Sequence, residues 1–264
     1  MRREQMALAA IAMAAAAACG PSTAGDPAST SSVAVTALSD AEVATVRLAT
    51  DESDAVIRGS GDAGYRVERV VHYGGPEPPP SHRLEGRTLV LEGCELPDCW
   101  FEYEVTVPSS VDVTGEAGSG STSVYGTAEV DVRAGSGSVS VTSVAGPVRI
   151  DAGSGAILLD GIGGDLTVTA GSGSVRGSGL SGARTQVESG SGDVDLEFDA
   201  ASAVQAIEAT SGSGDVSLVV PPGRYRVTVE SNGPPEIDVD IDPAAPATID
   251  VSSDSGEVSV VAAS

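Results

Sequence analysis

The chain has 264 residues, 41% of them hydrophobic, with only 3% aromatic, 33 Gly and a formal net charge of -24. Its core must therefore come from Val, Ile, Leu and Ala arranged in thin layers, not from a thick aromatic-rich bundle. There is no Lys, and an acidic surface of this size repels phosphate backbones and anionic headgroups, so nucleic acid is excluded as a partner and membrane attachment requires an anchor.

The N-terminus reads as an export segment. Arg2 and Arg3 precede an apolar run from Met6 to Ala18, which is too short to span a bilayer. Ala16-Ala17-Ala18-Cys19-Gly20 follows and resembles a lipobox, with Ala16 where Leu is usual. The expectation is a lipoprotein signal peptide over 1–18 and lipidation of Cys19, against an ordinary cleavage site beside a chance Cys. Residues 19–35 are mostly Pro, Ser, Thr, Ala and Gly and read as a flexible tether.

Residues 36–115 read as an N-terminal β region, with candidate strands at 41–48, 65–71, 88–92 and 101–107. A Pro-rich loop at 74–80 lies between them. Two arrangements stay open here: an irregular start to the repeat that follows, or a small separate sheet. Cys94 and Cys99 are spaced as an exported protein's local disulfide, and the alternative is a zinc site shared with His72 and His82, the only two histidines. His72, His82 and Trp100 form the candidate interaction region, because one-off residues on loops off a rigid scaffold are where binding concentrates.

From 116 to 264 the chain repeats. Gly-Ser-Gly begins at 118, 135, 153, 171, 190 and 212, with degenerate copies near 232 and 254. Before each triplet stand alternating apolar pairs such as Val130 and Val132, Val148 and Ile150, or Ile249 and Val251. After it stand Val139 and Val141, Ile157 and Leu159, Val194 and Leu196, or Val258 and Val260. Val144, Ile162 and Leu180 add a third inward position in the central copies. Period-2 pairs separated by Gly are strands, two per repeat, and a repeat this small buries its apolar face only against its neighbours. The fold expected is all-β: a single-stranded β-helix or β-solenoid of about 18-residue coils, roughly eight rungs tall, with a β-sandwich as the rival. Gly supplies the positive backbone angles of sharp corners in this reading, and the triplet serines stack into a hydroxyl ladder. Each triplet leads into a strand, not a helix, so a phosphate cradle is not indicated. The strand 236–242 alternates strictly and sets four carboxylates on one face, which reads as a solvated, aggregation-resistant edge.

Leu89-Val90-Leu91, then Glu104-Val105-Thr106-Val107-Pro108, then Val111-Asp112-Val113 leading into serial Gly-Ser-Gly-x-Val-x-Val units resemble the bacterial DUF4097 family, whose members carry a provisional adhesin label. The likeness covers roughly residues 40 to 260. It implies a β-solenoid of exported or membrane-attached proteins and brings no catalytic residues. The functional expectation is a non-enzymatic cell-envelope lipoprotein that scaffolds adhesion or interaction at the extracytoplasmic face. Its partners would be the membrane through its lipid and an envelope protein or glycan; no cofactor or metal is expected. A carbohydrate-active or carbohydrate-binding β-helix is the first alternative, weakened by the few aromatic platforms and the absence of Lys. An accessory or sensor lipoprotein for a membrane partner is the second.

Overall fold

A computed structural model describes residues 31–263. The strands in chain order are β1 (Ser31–Ser39), β2 (Thr45–Thr50), β3 (Asp54–Ser60), β4 (Tyr65–Tyr73), β5 (His82–Glu85), β6 (Thr88–Glu92), β7 (Cys99–Pro108) and β8 (Asp112–Ala117). Next come β9 (Thr122–Tyr125), β10 (Glu129–Ala134), β11 (Val139–Val144), β12 (Val148–Ala152), β13 (Ile157–Ile162), β14 (Leu166–Ala170), β15 (Val175–Leu180) and β16 (Arg184–Ser189). The last are β17 (Val194–Phe198), β18 (Ala206–Ser211), β19 (Val216–Val220), β20 (Arg224–Ser231), β21 (Glu236–Asp238), β22 (Asp240–Ile241), β23 (Thr248–Ser253) and β24 (Val258–Ala262).

These strands make two sheets of twelve. Sheet A runs β1-β4-β7-β3-β9-β11-β13-β15-β17-β19-β24-β21, and sheet B runs β22-β20-β23-β18-β16-β14-β12-β10-β8-β2-β6-β5. From β8 to β19 the chain places one strand in each sheet per coil, and every neighbouring pair in that stretch is parallel. Val130 sits on Val148 and Ile150 on Val168 in sheet B, while Val139 sits on Ile157 and Leu159 on Gly177 in sheet A. Hairpin neighbours of an up-and-down sandwich would be antiparallel, so the solenoid is the fold and the sandwich is not.

The inward alternation explains why it forms. Val130, Val132, Val139, Val141, Ile157 and Ile207 are buried to within 1%. Each such side chain contributes about 1.5–3 kcal/mol on removal from water, but only once the next rung covers it. Val144, Ile162 and Leu180 reach the same core because the residue before each, Ser143, or the residue one before it in the next coils, Gly161 and Gly179, takes a left-handed φ of 57°, 66° and 60°. That local turn resets the strand's alternation as a bulge does.

The Gly-Ser-Gly corner works differently from the expectation. None of its glycines has a positive φ. Their need is close approach: corners of successive coils stack backbone on backbone, so a Cβ at Gly155 would overlap the carbonyl of Gly137, and one at Gly173 that of Gly155. The triplet serines are exposed along this corner. The hydrogen-bonded ladder lies at the residue just before each triplet, at buried Ser189, Ser211 and Ser253. Ser211 Oγ accepts from Gly214 N at 2.9 Å and donates to the Gly192 carbonyl at 3.0 Å, and Ser253 repeats this with Gly256 and Gly214 at 2.8 and 2.9 Å. In earlier coils buried Ala117, Ala134, Ala152 and Ala170 fill the same place.

Both ends depart from sequential winding. β2 lies between β8 and β6, with Val46 against Val113 on one side and Leu89 on the other. β3 lies likewise between β9 and β7. At the opposite end β23 lies between β18 and β20, with Ile249 against Ile207 and Val227. The chain thus leaves a gap one rung wide at each end and fills it with a rung from elsewhere in the sequence. Region 36–115 is accordingly built into the same two sheets as the repeat, which is why each has twelve strands and the ladder exceeds eight rungs. Residues 31–35, read as the end of the tether, are the start of β1, which pairs antiparallel with β4. The strand expected at 236–242 is broken at Val239: β21 joins sheet A and β22 joins sheet B. Its carboxylates are thereby divided between two sheets, with Ile237 and Val239 packed on the end of the core.

Candidate functional site

The N-terminal end holds most of the one-off chemistry. Antiparallel pairing of β4 with β7 puts His72 opposite Trp100 on the outer face of sheet A. Their rings stack with centroids 4.7 Å apart and planes within 9°. His72 Nε2 lies 2.9 Å from Glu102 Oε1, two residues along the same face. Cys94 and Cys99 form a disulfide with their Cα atoms 5.7 Å apart. It closes the turn at Asp98, whose φ is 53°, and draws the start of β7 onto the core, where Cys99 is buried. With both thiols in that bond, the two-Cys, two-His zinc arrangement does not form.

His82 does not join His72. It starts β5 at the edge of sheet B, opposite Leu91. Its Nδ1 is buried without a hydrogen-bond partner among the described residues. Burial, and secondarily the charge of Arg69, pushes the imidazole below its ordinary value of 6.5. The expected interaction region therefore splits, with His72 and Trp100 on one sheet and His82 on the other. Cys19, the signal peptide at 1–18 and most of the tether lie outside the described residues. Among the described residues no helix is long and apolar enough to cross a membrane.

Next to His72 lies a depression of about 530 Å³ that includes Asp54, Arg58, Glu68, Glu102 and Glu104. Glu68 faces Glu104 and Asp54 faces Glu102 directly across strands, an arrangement that costs energy unless cations intervene. At the first pair they do: Arg58 pairs with Glu104 at 3.4 Å and Arg66 pairs with Glu68. At the second, Asp54 accepts the Ser121 amide at 2.7 Å and Glu102 lies against His72. Arg58 also lies 4.6 Å from the centre of the Tyr125 ring. A second depression, about 420 Å³, lies midway along sheet A between Leu158, Asp160, Arg176, Asp195 and Glu197. Both are open to solvent, with charged side chains set around largely apolar surface, an arrangement suited to contact with an extended partner.

Sequence reading missed a buried polar group behind this face. Arg69, Ser81 and Tyr103 lie inside the end of the solenoid. Parity could have found two of them: Arg69 falls between inward Val67 and Val71, and Tyr103 between Phe101 and Val105. Burial pushes the Tyr103 hydroxyl up to about 12.

No curated protein matches this sequence. Solved structures match it across most of its length. A Parabacteroides distasonis protein labelled provisionally as lipid-binding is 16% identical, covers 86% of this chain and 96% of its own, and has a TM-score of 0.50. A provisional adhesin from Bacteroides fragilis is 13% identical, with 87% and 97% covered and a TM-score of 0.44. A provisional cell-adhesion protein from Clostridium sporogenes is 11% identical, with 89% and 100% covered and a TM-score of 0.30. At these identities the likeness speaks to the fold. The sequence profile of the DUF4097 Toastrack family matches residues 101–262, from β7 to the last strand. With more than half of the chain matched and its two-sheet ladder in register, the protein belongs to the DUF4097 Toastrack family.

Proposed function

We propose that this protein is a non-catalytic scaffold of the cell envelope. It is tethered at the extracytoplasmic face through a lipid on Cys19 and presents the outer faces of its two sheets to a glycan or an envelope protein. The observation that carries this is the pair of long outer faces made by in-register stacking. They present repeated rows of short polar side chains, with exposed ion pairs linking one coil to the next: Arg133 with Glu116, Arg176 with Asp195, and Arg184 with Asp165. Large exposed apolar residues among those described are Leu38, Leu158 and Ile241, far apart in the chain. Such a face suits many weak polar contacts with an extended partner better than one obligate apolar interface. The Cys94–Cys99 disulfide accords with an oxidising, exported setting.

A sensor or accessory role with a membrane partner is the second reading, favoured by the half-exposed His72–Trp100 stack. A glycan array and an envelope pull-down with mature protein separate the two. Sugar binding without turnover supports the scaffold; capture of one envelope protein that is lost in Trp100→Ala supports the accessory role. Depolymerised polysaccharide would overturn the non-catalytic reading, and a Cys19→Ala variant that stays membrane-bound would overturn the anchor.

A further inference from the structure

Each sheet has two edge strands, so the ladder has four edges. An open edge presents unpaired N–H and C=O groups that capture other strands, and folded proteins blunt it with short strands, charge or proline. Three of the four edges here are blunted. β5 has four residues, with Arg83 and Glu85 in an exposed ion pair. β21 has three, Glu236 and Asp238 flanking Ile237, just after Pro234 and Pro235. β22 has two, one of them Asp240.

The fourth edge is β1. It runs for nine residues, Ser-Ser-Val-Ala-Val-Thr-Ala-Leu-Ser, without a charge, a Pro or a Gly. All nine pair with β4, from Ser31 opposite Tyr73 to Ser39 opposite Tyr65, and among the described residues no strand lies on the other side. Antiparallel geometry turns the N–H and C=O of every second residue away from β4. Beyond the coil of β8 and β9, sheet A continues through four strands, β3, β7, β4 and β1, whereas sheet B continues through three, β2, β6 and β5. β1 therefore overhangs sheet B by one strand and is the leading edge of this end.

Charge argues for what covers it. Two copies of a chain with net charge -24 repel each other unless they meet where carboxylates are scarce. β1 has none, and β4 behind it carries Arg66, Glu68 and Arg69, one more cation than anion. The opposite end is acidic at both edges, through Glu236, Asp238 and Asp240. Ser31 follows Cys19 by 12 residues, a span of at most roughly 40 Å when fully extended. Copies anchored as proposed above would hold their β1 edges in one layer near the bilayer; this point rests on that anchor, and the open edge does not.

We propose that β1 is a homodimer interface, in which two copies pair β1 with β1 antiparallel. In full overlap Val35 lies on the two-fold axis, and Ser31 of one copy lies opposite Ser39 of the other. The two A sheets become one. The pairing consumes the open edge of each copy and leaves only blunted ones, so assembly closes at two. Backbone pairing over nine residues is a small interface, so the dimer is weak in solution and gains from confinement to a membrane.

The test is sedimentation velocity and hydrogen exchange on the mature protein, from micromolar to millimolar concentration. The sedimenting mass should double as concentration rises. The outward amides of β1 should gain protection in step, with those of β5 and β21 unchanged. Thr36→Lys combined with Leu38→Lys sets like charges on both edges. Leu38 is 65% exposed, so its replacement leaves the core alone. The double variant should stay monomeric, with an unchanged far-ultraviolet circular dichroism spectrum. If it does not fold, exchange on the unaltered protein decides. The proposal is overturned if the mass stays that of a monomer throughout, or if the folded Lys variant dimerises as well as its parent. Protection of β21 together with β1 in species larger than a dimer overturns it in favour of head-to-tail stacking. Protection of the outward β1 amides at the lowest concentration, where the monomer prevails, overturns it in favour of another segment of the chain lying on the edge. No membrane enters these measurements, so failure of the anchor leaves their outcome as it stands.

Discussion

The middle of the ladder and its N-terminal end are made of the same strands under different constraints. Between β8 and β19 each coil must fit the one before and the one after it. Apart from Tyr125 and Phe198, the residues there are repeated or small, and the outer positions hold mainly Ser, Thr, Asp, Glu and Arg in rows. From β1 to β7 the coils meet a partner of a different shape, and Trp100, Phe101, Tyr65, Tyr73, Tyr103, both histidines, the disulfide and buried Arg69 all collect there. A stack admits unusual chemistry most readily where its translational repeat ends.

The comparison breaks most sharply at the corner glycines. Gly155→Val forces a side chain onto the Gly137 carbonyl and should cost at least about 3 kcal/mol, whereas Gly61→Ala meets open space and should leave the denaturation midpoint nearly unchanged. Replacing both Cys94 and Cys99 with Ser should cost about 2 kcal/mol. Hydrogen exchange should place the loss at the start of β7 and leave β10 to β17 protected. Ser211→Ala removes a buried hydroxyl with two partners and should cost about 1 kcal/mol. That cost should not rise when read by urea denaturation in a Ser189→Ala background if the ladder's rungs are independent, since Ala already serves in the earlier coils. The smallest effect is confined to the end. His82 has a depressed value in the folded protein, so the unfolded chain binds its proton first. Stability should be full above the ordinary imidazole value of 6.5 and fall as pH drops below it. His82→Gln should flatten that dependence in unfolding curves taken across this range.

The two-strand register was legible because each apolar pair recurs at the same distance from a Gly-Ser-Gly triplet and each proves to be inward. The reason for the glycines was not, because a close approach between coils leaves no mark in a single coil's sequence. Nor was the order of the end rungs legible. Val227 with Val229 and Ile249 with Val251 carry the same alternation, so either strand could cover β18, and only β23 does. In the candidate site, the turn between Cys94 and Cys99 announced the disulfide. His72 and His82 are near in sequence but separate because the strap between β4 and β5 carries the chain from one sheet to the other. Arg69 was hidden by its charge, which argues for solvent while its parity argues for the core.

The out-of-order rungs bear on how the molecule comes off the ribosome. A rod wound strictly in sequence could grow coil by coil, each new strand docking on the last. Here β20 has only the short β22 beside it, and no strand joining it to the rest of sheet B, until β23 has been made and has slid in beside β18. A nascent chain halted before residue 248 carries two unsatisfied strand edges separated by a slot one strand wide, open to proteases and to strands of other chains. Closure of that slot makes full-length synthesis a condition of a finished surface.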